Sequence, residues 1–270
     1  MAAALLVALY AGLVVAYAIG GSSTVAQAPV AVPDGGVEVV LTARDINAAA
    51  PDLEVDVSLV LPESLADDAG VPIQPITLTL EPTAEDADLT YGTDRRPPVR
   101  QVKIPFTGDI EEWPFDSYDN SITAFVTVGQ GADASVVPTV VTVDGQVQGW
   151  QLAASPDAVV PDLAVDLTFH RSLAIVLFGL SLVAVLILLP ITTWVVGWKL
   201  FREDRLFEAG FLGWIGAMLF ATIPIRNFFP GSPPPGSWVD VLVTLWVIIA
   251  LAVVLLVALA AFIKNPRRNH

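Results

Sequence analysis

The chain has 270 residues, of which 54% are hydrophobic and 15% charged, with two histidines, no cysteine and a mean hydropathy of +0.65. A soluble domain carries about a quarter of its residues as Asp, Glu, Lys or Arg, so this composition argues against an ordinary cytosolic enzyme and for surface that faces lipid. Residues 25–168 hold 24 of the 28 acidic residues and five of the 13 basic ones, which leaves that stretch near −19, the remainder near +4, and nucleic acid excluded as a partner, because phosphate contacts need basic side chains.

A membrane span needs about 20 largely apolar residues. The first candidate is 4–20, which predicts an uncleaved transmembrane anchor over residues 1–24. A cleaved signal peptide is the alternative, because Ala26-Gln27-Ala28 has the small-residue form of a cleavage site. The absence of a basic leader, the long apolar stretch and Pro29 directly after the cut favour the anchor.

From 36 to 168 the pattern turns to alternation and short β-branched runs broken by Pro, Gly and Asp. It predicts strands over 37–43, 53–61, 73–80, 99–106, 121–128, 139–143, 147–152 and 163–169. Asp144-Gly145 predicts a hairpin between the sixth and seventh of these. Such a series with no amphipathic helix predicts an antiparallel β-sandwich over 25–170, large enough to hold a core without disulfides.

Within that domain Arg95, Arg96, Arg100 and Lys103 form a basic patch. It has the charge to meet an anionic headgroup or an acidic partner, and local pairing with nearby Asp and Glu is the favoured expectation. Further on, Asp109, Glu111, Glu112, Asp116 and Asp119 are interleaved with Trp113, Pro114, Phe115 and Tyr118. Five carboxylates offer oxygen ligands for Ca²⁺, but their spacing fits no calcium loop. The expectation is therefore no metal and no cofactor, with solvated carboxylates and core or membrane-facing aromatics. His170 reads as an interfacial polar residue, and no Gly-x-Ser-x-Gly elbow accompanies it. No catalytic residue is expected; for an envelope enzyme acting on lipid or glycan, the candidate acids would be Asp109, Glu112, Asp116 and Asp119.

The last strand runs through Arg171 straight into the second span, which ties the domain to the helix. Residues 171–270 read as a three-span α-helical bundle with spans at 172–198, 209–225 and 239–263. Pro190 and Pro224 are expected to kink or end their helices. Gly210, Gly213 and Gly216 with Ala217 predict close packing of the third span. Residues 230–236 predict a stiff, extended loop able to brace the domain. No ionisable residue lies in the middle of a span, which argues against a transporter or pump. Lys199, Arg202 and Arg205 in one turn, and Lys264, Arg267 and Arg268 in the tail, belong on the cytoplasmic side. The predicted topology is N-in and C-in in the plasma membrane, with 25–170 extracytoplasmic.

Trp113-Pro114-Phe115-Asp116-Ser117-Tyr118, Arg171 before the second span, and a Pro-rich loop from Pro230 to Asp240 opening the last span together resemble the domain-of-unknown-function family 4436. The resemblance covers most of the chain. It implies a multi-pass membrane protein of the kind found largely in high-GC Gram-positive bacteria, and it implies no biochemical activity. Pro114-Phe115-Asp116, Arg171 and Pro190 are also similar in placement to residues of pentameric ligand-gated channels. The would-be pore helix over 211–222 lacks that family's ring of hydroxyl residues, and an additional span precedes the domain. Trp113, Pro114, Phe115, Asp116, Tyr118, Arg171, Pro190 and Asp240 are thus the candidate coupling or interaction residues. The expectation is a non-enzymatic envelope scaffold or binding protein whose partners are the lipid bilayer and an envelope protein or lipid. A ligand-gated-channel-like sensor is the first alternative, and an envelope lipid- or glycan-modifying enzyme the second.

Overall fold

The structure, a computed structural model, describes residues 10–12, 14–15, 17–18, 26–27, 31–84, 87–156, 164–202 and 209–264. The described residues between 10 and 18 are helical, while most of the first predicted span lies outside the described residues. So do residues 203–208 of the basic turn and 265–270 of the tail. The chain divides into two compact units. A β unit comprises Met1–Asp109 and Phe115–Ala174, and a helical unit comprises Ile110–Pro114 and Ile175–His270.

The β unit contains two sheets. Strands β1 (Ala26–Gln27), β4 (Ile76–Glu81), β5 (Asp88–Tyr91), β7 (Thr107–Gly108), β8 (Ser117–Val128), β9 (Ser135–Val137), β11 (Trp150–Pro156) and β12 (Ala164–Arg171) form one, with the central order β1-β11-β12-β8-β4-β5. Strands β2 (Val37–Asn47), β3 (Asp52–Val60), β6 (Arg100–Pro105) and β10 (Thr139–Gly145) form the other, in the order β10-β2-β3-β6. Alternation in sequence becomes alternation in burial. Val37, Val39 and Leu41 of β2, Leu53, Val55 and Val57 of β3, and Ile76, Leu78 and Leu80 of β4 are buried, with less buried residues between them. Successive side chains of a strand point to opposite faces, so each strand sends every second residue inward.

Three details of the predicted sandwich are corrected. Asp144-Gly145 is not a hairpin. β10 pairs in parallel with β2, whereas the chain after it enters the other sheet, where β11 pairs antiparallel with β12 and in parallel with β1. The Asp144 carboxylate still accepts a hydrogen bond from the Gly145 amide at 2.6 Å, so the local turn chemistry forms while the partner strand is chosen by burial of Val140, Val141 and Val143. The sheets are therefore not wholly antiparallel. Finally, β5 and β9 are short strands with several exposed residues, and they lack the apolar alternation that marks a strand in sequence.

The helical unit contains α1 (Leu173–Arg202), α2 (Ala209–Asn227) and α3 (Leu245–Lys264), the last preceded by a π-helical turn over Asp240–Thr244. Two segments among the described residues, Leu173–Leu200 and Asp240–Lys264, are long and apolar enough to cross a membrane. The remaining segment expected to span, 209–225, is helical, as α2, but is not one of these two; it carries three glycines and ends at Arg226 and Asn227. Pro190 does not end its helix, because α1 continues through it to Arg202. Around that point Thr192 and Thr193 donate hydroxyl hydrogen bonds back to the carbonyls of Leu188 and Leu189.

The small-residue packing is also corrected. Among the described residues a side chain added at Gly210, Gly213 or Gly216 would meet nothing within 4 Å, so these glycines are not where α2 meets its described neighbours. α2 packs through Phe211, Leu212 and Ile215 around Val254 and Ala258 of α3. The loop over 228–237 is not uniformly extended either. The Ser232 amide bonds to the Phe229 carbonyl and the Ser237 amide to that of Pro234, which folds it into two turns. Arg226 ties it down, donating to the carbonyls of Pro233 at 2.9 Å and Pro234 at 3.4 Å.

Candidate functional site

The predicted coupling residues resolve into two groups, one in each unit. In the β unit, β8 begins at Ser117, four residues before the predicted start, and lies beside β12 so that Tyr118 is opposite Phe169. That register turns Tyr118, Phe169 and Arg171 inward. The Asp116 carboxylate, fully buried, accepts a hydrogen bond from Arg171 Nε at 2.6 Å on Oδ1 and one from the Tyr118 hydroxyl at 2.7 Å on Oδ2. The Arg171 guanidinium also lies 4.7 Å from the centroid of the Trp150 ring, a cation–π distance. Phe106 and Phe169 pack on the Tyr118 ring, with centroids 4.9 Å and 5.6 Å away.

The expectation of solvated carboxylates thus fails at Asp116, which burial would make costly without its two donors. Burial raises the Tyr118 phenol well above its ordinary pKa, helped by the hydrogen bond to Asp116 and the negative charge there and opposed by Arg171. Tyr118 therefore serves as a hydrogen-bond donor and keeps its proton. Gly108 is required beside it, because any Cβ there would overlap the Tyr118 ring.

In the helical unit the Trp113 indole is fully buried and stacks on Phe229, with centroids 4.8 Å apart and planes 20° from parallel. Its Nε1 donates to the Pro230 carbonyl at 2.7 Å, and Trp238 Nε1 donates to the Trp113 carbonyl. Val183 and Leu186 of α1 and Val239 and Val243 beyond the loop complete the cluster around it. Asp240 is not free. Arg226 grips it through Nε at 3.0 Å and Nη2 at 2.6 Å, a bidentate fork, and the Gly236 amide adds a third donor at 3.2 Å. Phe115 points to solvent, 61% exposed, and Pro190 lies within α1.

Of the eight predicted residues the structure therefore brings three together, Asp116 with Tyr118 and Arg171, while Trp113 packs separately on Phe229 and Asp240 pairs with Arg226. Phe229, Trp238 and Arg226 were not anticipated; the first two matter through Trp113, more than a hundred positions away, and Arg226 through Asp240. The five acidic residues of 109–119 do not converge, and among the described residues no three His, Asp or Glu side chains are placed to hold a metal ion. His170 lies exposed on the outer face of β12. In the basic patch Lys103 pairs with Glu54 at 3.6 Å, opposite it across β3 and β6.

Two family models match the chain. One, described as a domain of unknown function (DUF4436), covers residues 26–169, and the other, described as a domain of unknown function (DUF8686), covers residues 171–265. No curated protein matches it. With more than half of its residues under the first model, and with the Trp-Pro-Phe-Asp segment inside that match, the chain belongs to the DUF4436 family.

Proposed function

We propose that the chain is a multi-pass plasma-membrane protein, N-in and C-in, whose acidic β unit lies outside the cell and binds or scaffolds another envelope component without catalysing a reaction. One observation carries the membrane part. In the most apolar stretches of Leu173–Leu200 and Asp240–Lys264 only 17% and 28% of the residues are buried, and elsewhere on the same helices Trp194 and Val195 also stand outward, as do Trp246 and Leu256. A soluble protein's core helix would hide such side chains; here they need lipid. The basic residues at the C-terminal ends of α1 and α3 support the orientation.

The sequence has no cysteine, so single introduced cysteines report topology without background. Asp144→Cys and Ser232→Cys should react with a membrane-impermeant maleimide on intact cells, and Lys199→Cys only after permeabilisation. The reverse pattern would overturn the topology. For the scaffold role, affinity purification in mild detergent should recover an envelope protein or lipid with the chain, and a chain that always emerges alone counts against it.

A second reading, a ligand-gated-channel-like sensor, is favoured by the covalent path of the chain, which enters the helical unit at Ile110 and leaves it after Pro114. Planar-bilayer recording distinguishes the two, since a protein that passes no current under any condition removes the sensor-channel reading.

A further inference from the structure

α1, α2 and α3 enclose a groove of about 310 Å³ whose lining is almost wholly apolar, formed by Trp194, Gly197, Trp198, Phe211, Val254 and Val257 with their neighbours. It lies toward the C-terminal ends of α1 and α3. Immediately beyond it the same two helices carry Lys199, Arg202 and Lys264, all exposed. Arg202 follows Trp198 by four residues and so shares its face of α1. Trp194 and Trp198 are more than half exposed and stack with centroids 6.4 Å apart, the placement of aromatic residues at a membrane–water boundary.

An apolar slot with three cations at the ends of the helices that line it matches one ligand chemistry. We propose that the groove holds an acyl chain of an anionic phospholipid whose headgroup lies against Lys199, Arg202 and Lys264. The slot supplies dispersion contacts for the chain, and the ammonium and guanidinium groups select the negative headgroup. Gly197 keeps the groove open. Among the described residues a Cβ there would touch Phe211 and Val254, at 3.8 Å and 3.9 Å, so a methyl group fits and a larger side chain fills the slot.

The inference rests on the reading that these helices cross a bilayer, and tryptophan quenching by brominated lipid tests the two separately. The full chain is reconstituted in phosphatidylcholine vesicles containing a small fraction of phosphatidylglycerol, with the bromine on one lipid or the other. Brominated phosphatidylglycerol should quench at a mole fraction about a hundredfold lower than brominated phosphatidylcholine, because each of the three basic residues near the headgroup contributes about fivefold. The difference should vanish in Trp194→Phe/Trp198→Phe and in Gly197→Leu. Lys199→Gln/Arg202→Gln/Lys264→Gln, confined to exposed side chains, should remove the headgroup preference while leaving quenching by both lipids. Equal quenching by the two lipids in the unaltered chain, as expected if another part of the chain or a second copy fills the groove, overturns the site while leaving the membrane reading intact. No quenching by either lipid overturns both.

Discussion

The indole of Trp113 lies against Gly179 so closely that a Cβ built on the glycine would stand 2.8 Å from two of its ring carbons. Glycine at 179 is therefore a requirement of the Trp113 side chain. Gly179→Val should displace the indole and destabilise the protein by about 1–3 kcal/mol, the usual range for overpacking. Thermal unfolding in detergent measures this, and Trp113→Leu in the same chain should recover part of the loss.

Asp116 and Arg171 are each other's charge partner with almost no exposure to solvent. Removing one member leaves an uncompensated buried charge, so Arg171→Met is expected to cost about 3–5 kcal/mol. Asp116→Asn should cost a comparable amount, and the double replacement less than the sum of the two. A double-mutant cycle on chemical denaturation measures the coupling; strict additivity would sink the pair as an energetic unit.

Alkaline stability depends on Tyr118 and Tyr91, whose phenols are both raised above the ordinary value of 10.0, chiefly by burial. In the unfolded chain each loses its proton near that value, whereas in the folded chain each keeps it to higher pH. Stability from these two groups is thus fully present below about pH 10 and is lost as the pH climbs past it. Ultraviolet titration of phenolate absorbance should show late ionisation of Tyr118 and Tyr91, and Tyr118→Phe should remove one late-ionising group.

Arg226 holds the loop through Asp240 and two prolyl carbonyls. Lysine cannot reproduce a planar fork, so Arg226→Lys should speed limited proteolysis within 228–237 while the β unit remains resistant. An unchanged cleavage rate would mean that the prolines alone set the loop.

The β unit was legible because its strands write burial as alternation: Val37, Val39 and Leu41 are visible in sequence as a period-two run. Partner choice was not legible. Asp144-Gly145 carries hairpin chemistry, yet β10 joins β2, just over a hundred residues earlier, and no local signal encodes that pairing. The same holds at the site. Asp116 and Arg171 stood out individually, one in a Pro-Phe-Asp segment and one before a span, but their contact spans 55 positions. Nor does a row of glycines in α2 reveal whether it faces a neighbour or open space; here no described residue lies against it.

Residues 110–114 belong to the helical unit although the first family match, which ends at 169, contains them. The boundary visible to sequence comparison is therefore not the boundary of folding. Recombination near residue 170 would transplant Trp113 without Gly179, Phe229, Pro230 and Trp238, leaving a buried indole with no acceptor and no stacking partner. Such chimaeras should be selected against, so the two matched regions are expected to be inherited as one piece and to diversify together at these five positions.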